Sequence, residues 1–263
     1  MKTVVRKIAR YGVRDLIRSR WLLGYAGFFA AATWSLLRFS DNETKALLSL
    51  VNVVLLVVPL ANLVFGAMYL YGAREFVELL LAQPVRRREL FAGLYLGLTV
   101  PVSFAAVIGI GVPLVLQGAS AASMRTGAVL GVITVALSAV FTGIATVIAY
   151  RVEDRVRGLA TALGVWLMLA VVYDGIVLLA AVQFADYPLE RPMLALMIAN
   201  PIDLARLVLL LHFDVAALLG YTGAVFERFV GGTSGLVVAG VALFTWAAAP
   251  ALIGARLFRR KDF

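Results

Sequence analysis

Residues 46–71 read ALLSLVNVVLLVVPLANLVFGAMYLY, and this run contains no Asp, Glu, Lys or Arg. A bilayer core about 30 Å thick is crossed by about 20 apolar residues in a helix, because backbone groups in hydrocarbon must find their hydrogen-bond partners internally. The run therefore predicts a helix that crosses a membrane.

Five further stretches resemble this one in length and composition. The whole chain agrees with them, since 62% of its 263 residues are hydrophobic, 15% are charged and the mean hydropathy is +0.95. A water-soluble fold needs a more highly charged surface. We therefore predict an all-α membrane protein with six transmembrane helices. The predicted spans are 21–37, 46–71, 90–116, 127–150, 159–182 and 236–255.

Positively charged side chains are concentrated on one side of the predicted spans. Of the 24 lysines and arginines, 18 lie near the two ends of the chain and in the segments 72–89 and 151–158, and 6 lie in the remaining segments. Positive charge marks the cytoplasmic side, which predicts a multi-pass protein of the cell inner membrane with both termini in the cytoplasm. Topology thus explains the net charge of +9 without a nucleic-acid partner.

Two regions outside the spans carry structure of their own. Residues 3–20 place arginines at every fourth position opposite an apolar face, which predicts an amphipathic helix on the inner leaflet. The external region 183–235 contains an apolar stretch, 193–211, that is broken at Asn200-Pro201. A seventh span there would put the basic C-terminal tail outside, so we predict two re-entrant half-helices in the outer leaflet.

The residue inventory excludes several kinds of chemistry. The chain has no cysteine, one histidine (His212) and no P-loop motif, so we predict no metal site, no cofactor and no catalytic activity of its own. Met193 and Met197 share a helical face, but a methionine pair is more typical of packing than of a Cu(I) site. ATP-driven transport would require the ATPase to be a separate polypeptide.

The segment 72–89 predicts a short cytoplasmic helix that ends before Pro84. Arg74 and Glu78 are four residues apart and can pair, which leaves Glu75 and Gln83 to contact another molecule. The alternative is an ordinary polar loop carrying the charges that positive-inside topology demands.

The run EFVELLLAQPVRRRELFAGLYLG, residues 75–97, resembles the signature of the ABC-2 type permeases. Positions that match the signature are Glu78, Leu80, Leu81, Pro84, Val85 and Arg87. Arg86 and Leu94 depart from it. The resemblance implies a coupling helix that docks on a cytoplasmic ATPase subunit, and a permease that works as a dimer. The docking residues it implies are Arg74, Glu75, Glu78, Gln83 and Arg87.

The runs ANPIDLARLVLL (199–210) and ALLGYTGAVFERFVG (217–231) resemble the permeases that serve multicopper-enzyme maturation, such as that of nitrous oxide reductase. This resemblance implies a copper- or sulfur-related cargo and an external loop that faces a periplasmic maturation protein. Residues expected to face that partner are Asn200, Pro201, Asp203, Arg206 and Tyr221.

Three polar residues lie within the predicted spans. Asp174 is either a pathway-lining or proton-relay group or a carboxylate hydrogen-bonded between helices. Asn52 and Asn62 predict a polar strip that bonds to neighbouring helices. Besides an ABC permease, an ion-coupled carrier or channel using Asp174 and a membrane scaffold that recruits a maturation factor stay open as functions.

Overall fold

A computed structural model describes residues 20–184, 190–212 and 233–261, and these residues form helices and no β-strand. The helices are α1 (Arg20–Phe39), α2 (Glu43–Gly72), α3 (Arg74–Leu81), α4 (Arg87–Leu116), α5 (Ala121–Arg151), α6 (Arg155–Leu167), α7 (Tyr173–Gln183), α8 (Glu190–Ala199), α9 (Pro201–His212) and α10 (Thr233–Arg260). The predicted interfacial helix, apart from Arg20, and Tyr221 lie outside the described residues.

Six stretches of the described chain are long and apolar enough to cross a membrane, which confirms the prediction of six spans. They are α1, α2, α4, α5, the continuous stretch from α6 to α7, and most of α10. The fourth span, α5, is the centre of the bundle, because α2, α4 and α10 all pack against it. Buried aromatic side chains such as Phe141 on α5 and Phe29 on α1 fill the interior.

Gly66 and Gly109 each permit a close contact between two helices. A Cβ atom added to Gly66 would lie 2.7 Å from the Cβ atom of Ala145, and one added to Gly109 would lie 2.6 Å from the carbonyl oxygen of Ala26. The backbones of α2 and α5, and of α1 and α4, therefore approach closely because no side chain separates them. Small residues commonly let membrane helices pack in this way.

The fifth span contains an irregularity that apolar composition does not predict. Between α6 and α7, Met168–Val172 form a π-helical turn. Such turns are rare and are frequently found at functional sites. No residue in the most apolar part of this span is fully buried within the described chain, although Trp166, Leu169 and Ala170 pack partly against the core.

The bundle has two distinct ends. We call the end that carries α3, the α5–α6 connection and the C-terminus of α10 the basic end, because its arginines and lysines include Arg74, Arg87 and Lys261. The opposite end carries the connection from α1 to α2 and that from α4 to α5. The break between α8 and α9 lies deeper, against the middle of the fifth span, where Asn200 contacts Leu169.

Candidate functional site

The short helix α3 has a buried side and an exposed side. Its Val77 is buried in an apolar cluster with residues of α4 and α10, including Phe91 and Phe258. The opposite side presents acidic and apolar groups together, and Phe76 and Leu79 are 49% and 68% exposed. We call this surface the outward face of α3. Its exposed residues are Glu75, Phe76, Glu78, Leu79 and, just beyond the helix, Gln83.

Arg74 does not form the ion pair with Glu78 that the sequence suggested. Its guanidinium donates to the carbonyl oxygens of Glu153 at 2.7 Å, Val152 at 3.2 Å and Ala149 at 3.3 Å, all at the end of α5. The reason is that the last carbonyls of a helix have no partner within it and carry its negative partial charge, so they attract a cation. Arg74 thus holds α3 against the bundle instead of joining its outward face.

Arg87 makes the equivalent contact to the last span. It donates to the carbonyl oxygens of Arg259 at 3.0 Å and Lys261 at 2.8 Å, where α10 ends. The side chain of Lys261 in turn approaches the carbonyl oxygen of Tyr150 at 3.4 Å. Partial burial lowers the pKa of Lys261, and the nearby charge of Arg74 lowers it further.

The predicted docking residues therefore divide into two groups. Glu75, Glu78 and Gln83 are exposed, whereas Arg74 and Arg87 bond to helix ends. Sequence reasoning had no signal for the second role, because the acceptors are backbone carbonyls, which every residue possesses. Whether any of these residues touches an ATPase stays a prediction.

A polar network joins the fifth span to α9. Arg206 donates to Asp174 at 3.0 Å and to Asp203 at 3.1 Å. The amide of Asn200 donates to Asp203 at 3.0 Å and to the carbonyl oxygen of Leu169, inside the π turn, at 2.8 Å. Asp174 is thus hydrogen-bonded to a neighbouring element, which is one of the two roles the sequence left open.

Burial and charge make Asp203 unusual among the carboxylates of the described chain. Its side chain is 9% exposed, and its burial raises its pKa to about 7, with the neighbouring charge of Asp174 acting in the same direction. Arg206 opposes this effect. Asn200, Pro201 and Asp203 are buried within the chain, so they offer little surface in this arrangement to the periplasmic partner that we predicted they would face.

The two asparagines of α2 do not form one strip. Asn62 is buried and donates to Ser138 on α5 at 3.2 Å, while it accepts from Thr142 at 3.2 Å. Asn52 is exposed and contacts only its own helix, through the carbonyl oxygen of Leu48. Ten residues correspond to about 280° of rotation in an α-helix, which is why the two side chains lie on different faces.

The described residues contain no group of three His, Cys, Asp or Glu side chains that could hold a metal ion. Met193 and Met197 are both buried. The side chain of His212 lies outside the part that the structure describes.

Six spans, with α5 at their centre, and a short helix exposed between the second and third spans define a multi-pass membrane protein. The chain belongs to the ABC-2 family of transporter proteins, whose family model matches residues 6–263. Membership implies an ATPase partner, because transport in this family is driven by ATP and the chain has no P-loop motif. The six apolar spans imply a lipid bilayer.

Two curated relatives bear the name "Probable ABC transporter permease protein NosY". The protein from Pseudomonas aeruginosa is 29% identical over 278 residues, which cover 98% of each chain. The protein from Stutzerimonas stutzeri is 29% identical over 234 residues, which cover 80% of this chain and 82% of the relative.

Proposed function

We propose that this chain is the permease subunit of an ABC transporter and that its cytoplasmic ATPase docks on the outward face of α3. The observation that carries this proposal is a helix whose two carboxylates and two large apolar side chains face away from the bundle. A partner that covers exposed apolar side chains removes them from water, which favours binding. The two carboxylates would add charge complementarity if the partner's docking groove is basic.

The proposed orientation places the basic end in the cytoplasm. The concentration of arginine and lysine there supports it through the positive-inside rule. Because the chain has no cysteine, a thiol reagent can react only with a cysteine that is introduced, and the reaction shows on which side of the membrane that residue lies. We expect an impermeant thiol reagent to label Thr44→Cys from outside sealed cells and not to label Ala82→Cys. Labelling of Ala82→Cys from outside would contradict the orientation.

The functional unit we propose contains two copies of the chain. The fifth span supports a second copy, since it offers apolar side chains such as Leu167, Val171 and Leu179 along a surface that the described chain leaves uncovered. Two copies would give twelve spans and two α3 helices for two ATPase subunits.

The cargo we propose is a copper- or sulfur-related species required by a periplasmic copper enzyme such as nitrous oxide reductase. Similarity to the two relatives named NosY over most of the chain supports this assignment. The region around α8 and α9, away from the basic end, would then lie toward the periplasm and a maturation protein there.

The docking proposal is tested by Glu78→Lys, which reverses a charge on the outward face of α3. We expect the ATPase subunit that co-purifies with the wild-type chain to be lost or strongly reduced, because like charges opposed across an interface cost several kcal/mol. Asp41→Lys makes the same charge reversal at an exposed site on the opposite end and should leave co-purification unchanged. Equal ATPase recovery with Glu78→Lys and Asp41→Lys would show that the outward face is not the docking surface.

A further inference from the structure

Arginines at the first position of α3 and at the first position of α4 bond to the ends of two other helices. Arg74 precedes the outward face of α3 and reaches three carbonyl oxygens of α5 and its connection, while Arg87 follows Pro84 and reaches two carbonyl oxygens at the end of α10. We propose that Arg74 and Arg87 are positioning residues that pass movement of the docked ATPase from α3 and the start of α4 to α5 and α10. This inference rests on the proposed function, because it assumes that α3 is the docking element.

The bonds made by Arg74 depend on the shape of its side chain. Its planar guanidinium directs two nitrogens at three acceptors, and its Cζ atom lies over the ring of Tyr71, 4.7 Å from the ring centre. The hydroxyl of Tyr71 donates to the carbonyl oxygen of Val152 at 2.8 Å, so both residues hold the same helix end. A lysine keeps the charge but cannot reproduce this planar fork.

The two helices that receive these bonds are packed closely on each other. A Cβ atom added to Gly143 on α5 would lie 3.0 Å from Pro250 on α10, and Gly254 of α10 sits directly against Thr146 of α5. The pair therefore moves as a unit at the basic end, where α3 is attached. Because α9 also packs on α5 and α10, this unit extends to the network around Arg206.

The packing of α3 against α4 and α10 is apolar, and it constrains the orientation of α3 less than directional hydrogen bonds would. Val77 lies in the cluster with Phe91 and Phe258, where side chains can slide without breaking a directional bond. Hydrogen bonds from a charged donor are both stronger and more dependent on geometry than such contacts. Loss of Arg74 should therefore leave α3 folded and present, but loosely coupled to α5.

The experiment compares Arg74→Gln with Arg74→Lys and with a matched control, Arg88→Gln. Arg88 is exposed on the same segment and makes no hydrogen bond or ion pair within the described part of the chain. Each variant is purified with the ATPase subunit that co-purifies with the wild-type chain. ATPase recovery, permease-stimulated ATP hydrolysis and maturation of the dependent enzyme are then measured.

We expect Arg74→Gln to retain ATPase recovery within about twofold and to lose stimulated hydrolysis and maturation by about tenfold, as for residues that alter coupling without contacting a ligand. Arg74→Lys should be intermediate, and Arg88→Gln should match the wild type. Loss of ATPase recovery in Arg74→Gln would place the residue in the docking surface and overturn the inference, and so would unchanged stimulation and maturation. Should Arg74→Gln fail to accumulate, Arg74→Lys is judged by the same criteria.

A second readout does not need the ATPase to bind at α3. Nitroxide labels on the double variant Ala82→Cys/Arg151→Cys report the distance from α3 to the end of α5 in the cysteine-free chain. Adding Arg74→Gln should broaden this distance distribution, whereas adding Arg88→Gln should not. An unchanged distribution would refute the positioning role. Normal ATPase recovery with Glu78→Lys would refute docking on α3, and with it the transfer of movement from the ATPase, but not the attachment of α3 to α5 by Arg74.

Discussion

Replacement of Asp203 by asparagine should remove a pH dependence of stability that the network around Arg206 creates. Burial raises the pKa of Asp203 from 3.8 to about 7. The folded chain therefore holds this proton more tightly than the unfolded chain does. The free energy of unfolding accordingly falls as the pH rises from about 4 to about 7 and is level above that range.

The size of this effect follows from the shift in pKa. One pKa unit corresponds to about 1.4 kcal/mol, so a shift of about three units sets an upper bound of about 4 kcal/mol. The side chains of Arg206 and Asp174 are 30% and 38% exposed, and solvent there weakens their interaction with Asp203. We therefore expect about 2 kcal/mol, which is about 4–8 °C in melting temperature on the scaling for soluble chains of this length.

Asparagine suits this position because it resembles the protonated carboxyl group. Arg206 donates to Oδ1 of Asp203 and Asn200 donates to Oδ2, so the single carbonyl oxygen of asparagine keeps one of these bonds directly. Its NH2 group can donate toward Asp174, and one buried charge is removed. Asp203→Asn should therefore gain on the wild type as the pH rises, with a small difference at pH 5 and the largest difference at pH 8.

The assay is thermal unfolding of the purified chain in detergent, followed by the fluorescence of its four tryptophans at pH 5 to 8. Glu75→Gln makes the same chemical change on the exposed outward face of α3 and should keep the wild-type pH dependence. A melting temperature for Asp203→Asn below the wild type at pH 8, or an unaltered pH slope, would refute the reasoning.

Two further predictions concern helix packing, and the same unfolding assay measures both. Gly109→Ala should destabilise the chain by about 1–3 kcal/mol, because the added Cβ atom would meet the backbone of α1. Gly111→Ala should change the stability little, because its added Cβ atom would meet open space. Equal effects of the two substitutions would contradict the close approach of α1 and α4. Asn62→Leu should cost about 1–2 kcal/mol through lost bonds to α5, and Asn52→Leu should be neutral or stabilising; a neutral Asn62→Leu would show that the polar bonds between α2 and α5 contribute nothing.

Apolar length and charge placement were sufficient to predict six spans, because the bilayer imposes both directly. The break at Asn200-Pro201 was also predictable, since proline disfavours helix in the residue before it. The same rules could not reveal the π turn at Met168–Val172, which depends on how the fifth span packs.

The candidate site was predictable as a set of residues and not as an arrangement. Asp174, Asp203 and Arg206 stood out as polar groups in apolar sequence, but nothing in their spacing showed that one guanidinium would join both carboxylates. Arg74 likewise had a plausible partner in Glu78 by helical spacing. The structure pairs it with α5 because three unpaired carbonyls there outweigh one exposed carboxylate, whose ion pair is worth little in water.

The break between α8 and α9 is stable beside the middle of the fifth span because the polar groups it frees are paired. Tyr173 donates to the carbonyl oxygen of Leu196 at 2.7 Å, and Trp246 donates to that of Ile198 at 2.9 Å. The side chain of Asn200 accepts from the backbone N–H of Ile202 in α9 and donates to the carbonyl oxygen of Leu169 in the π turn. One side chain thus pairs backbone groups of both irregular segments. Irregular backbone persists in a membrane only when buried in protein or wetted by a cavity, and here side chains of the fifth and sixth spans supply the partners. If α10 moves as we propose, its movement relative to the fifth span would exchange or break these bonds.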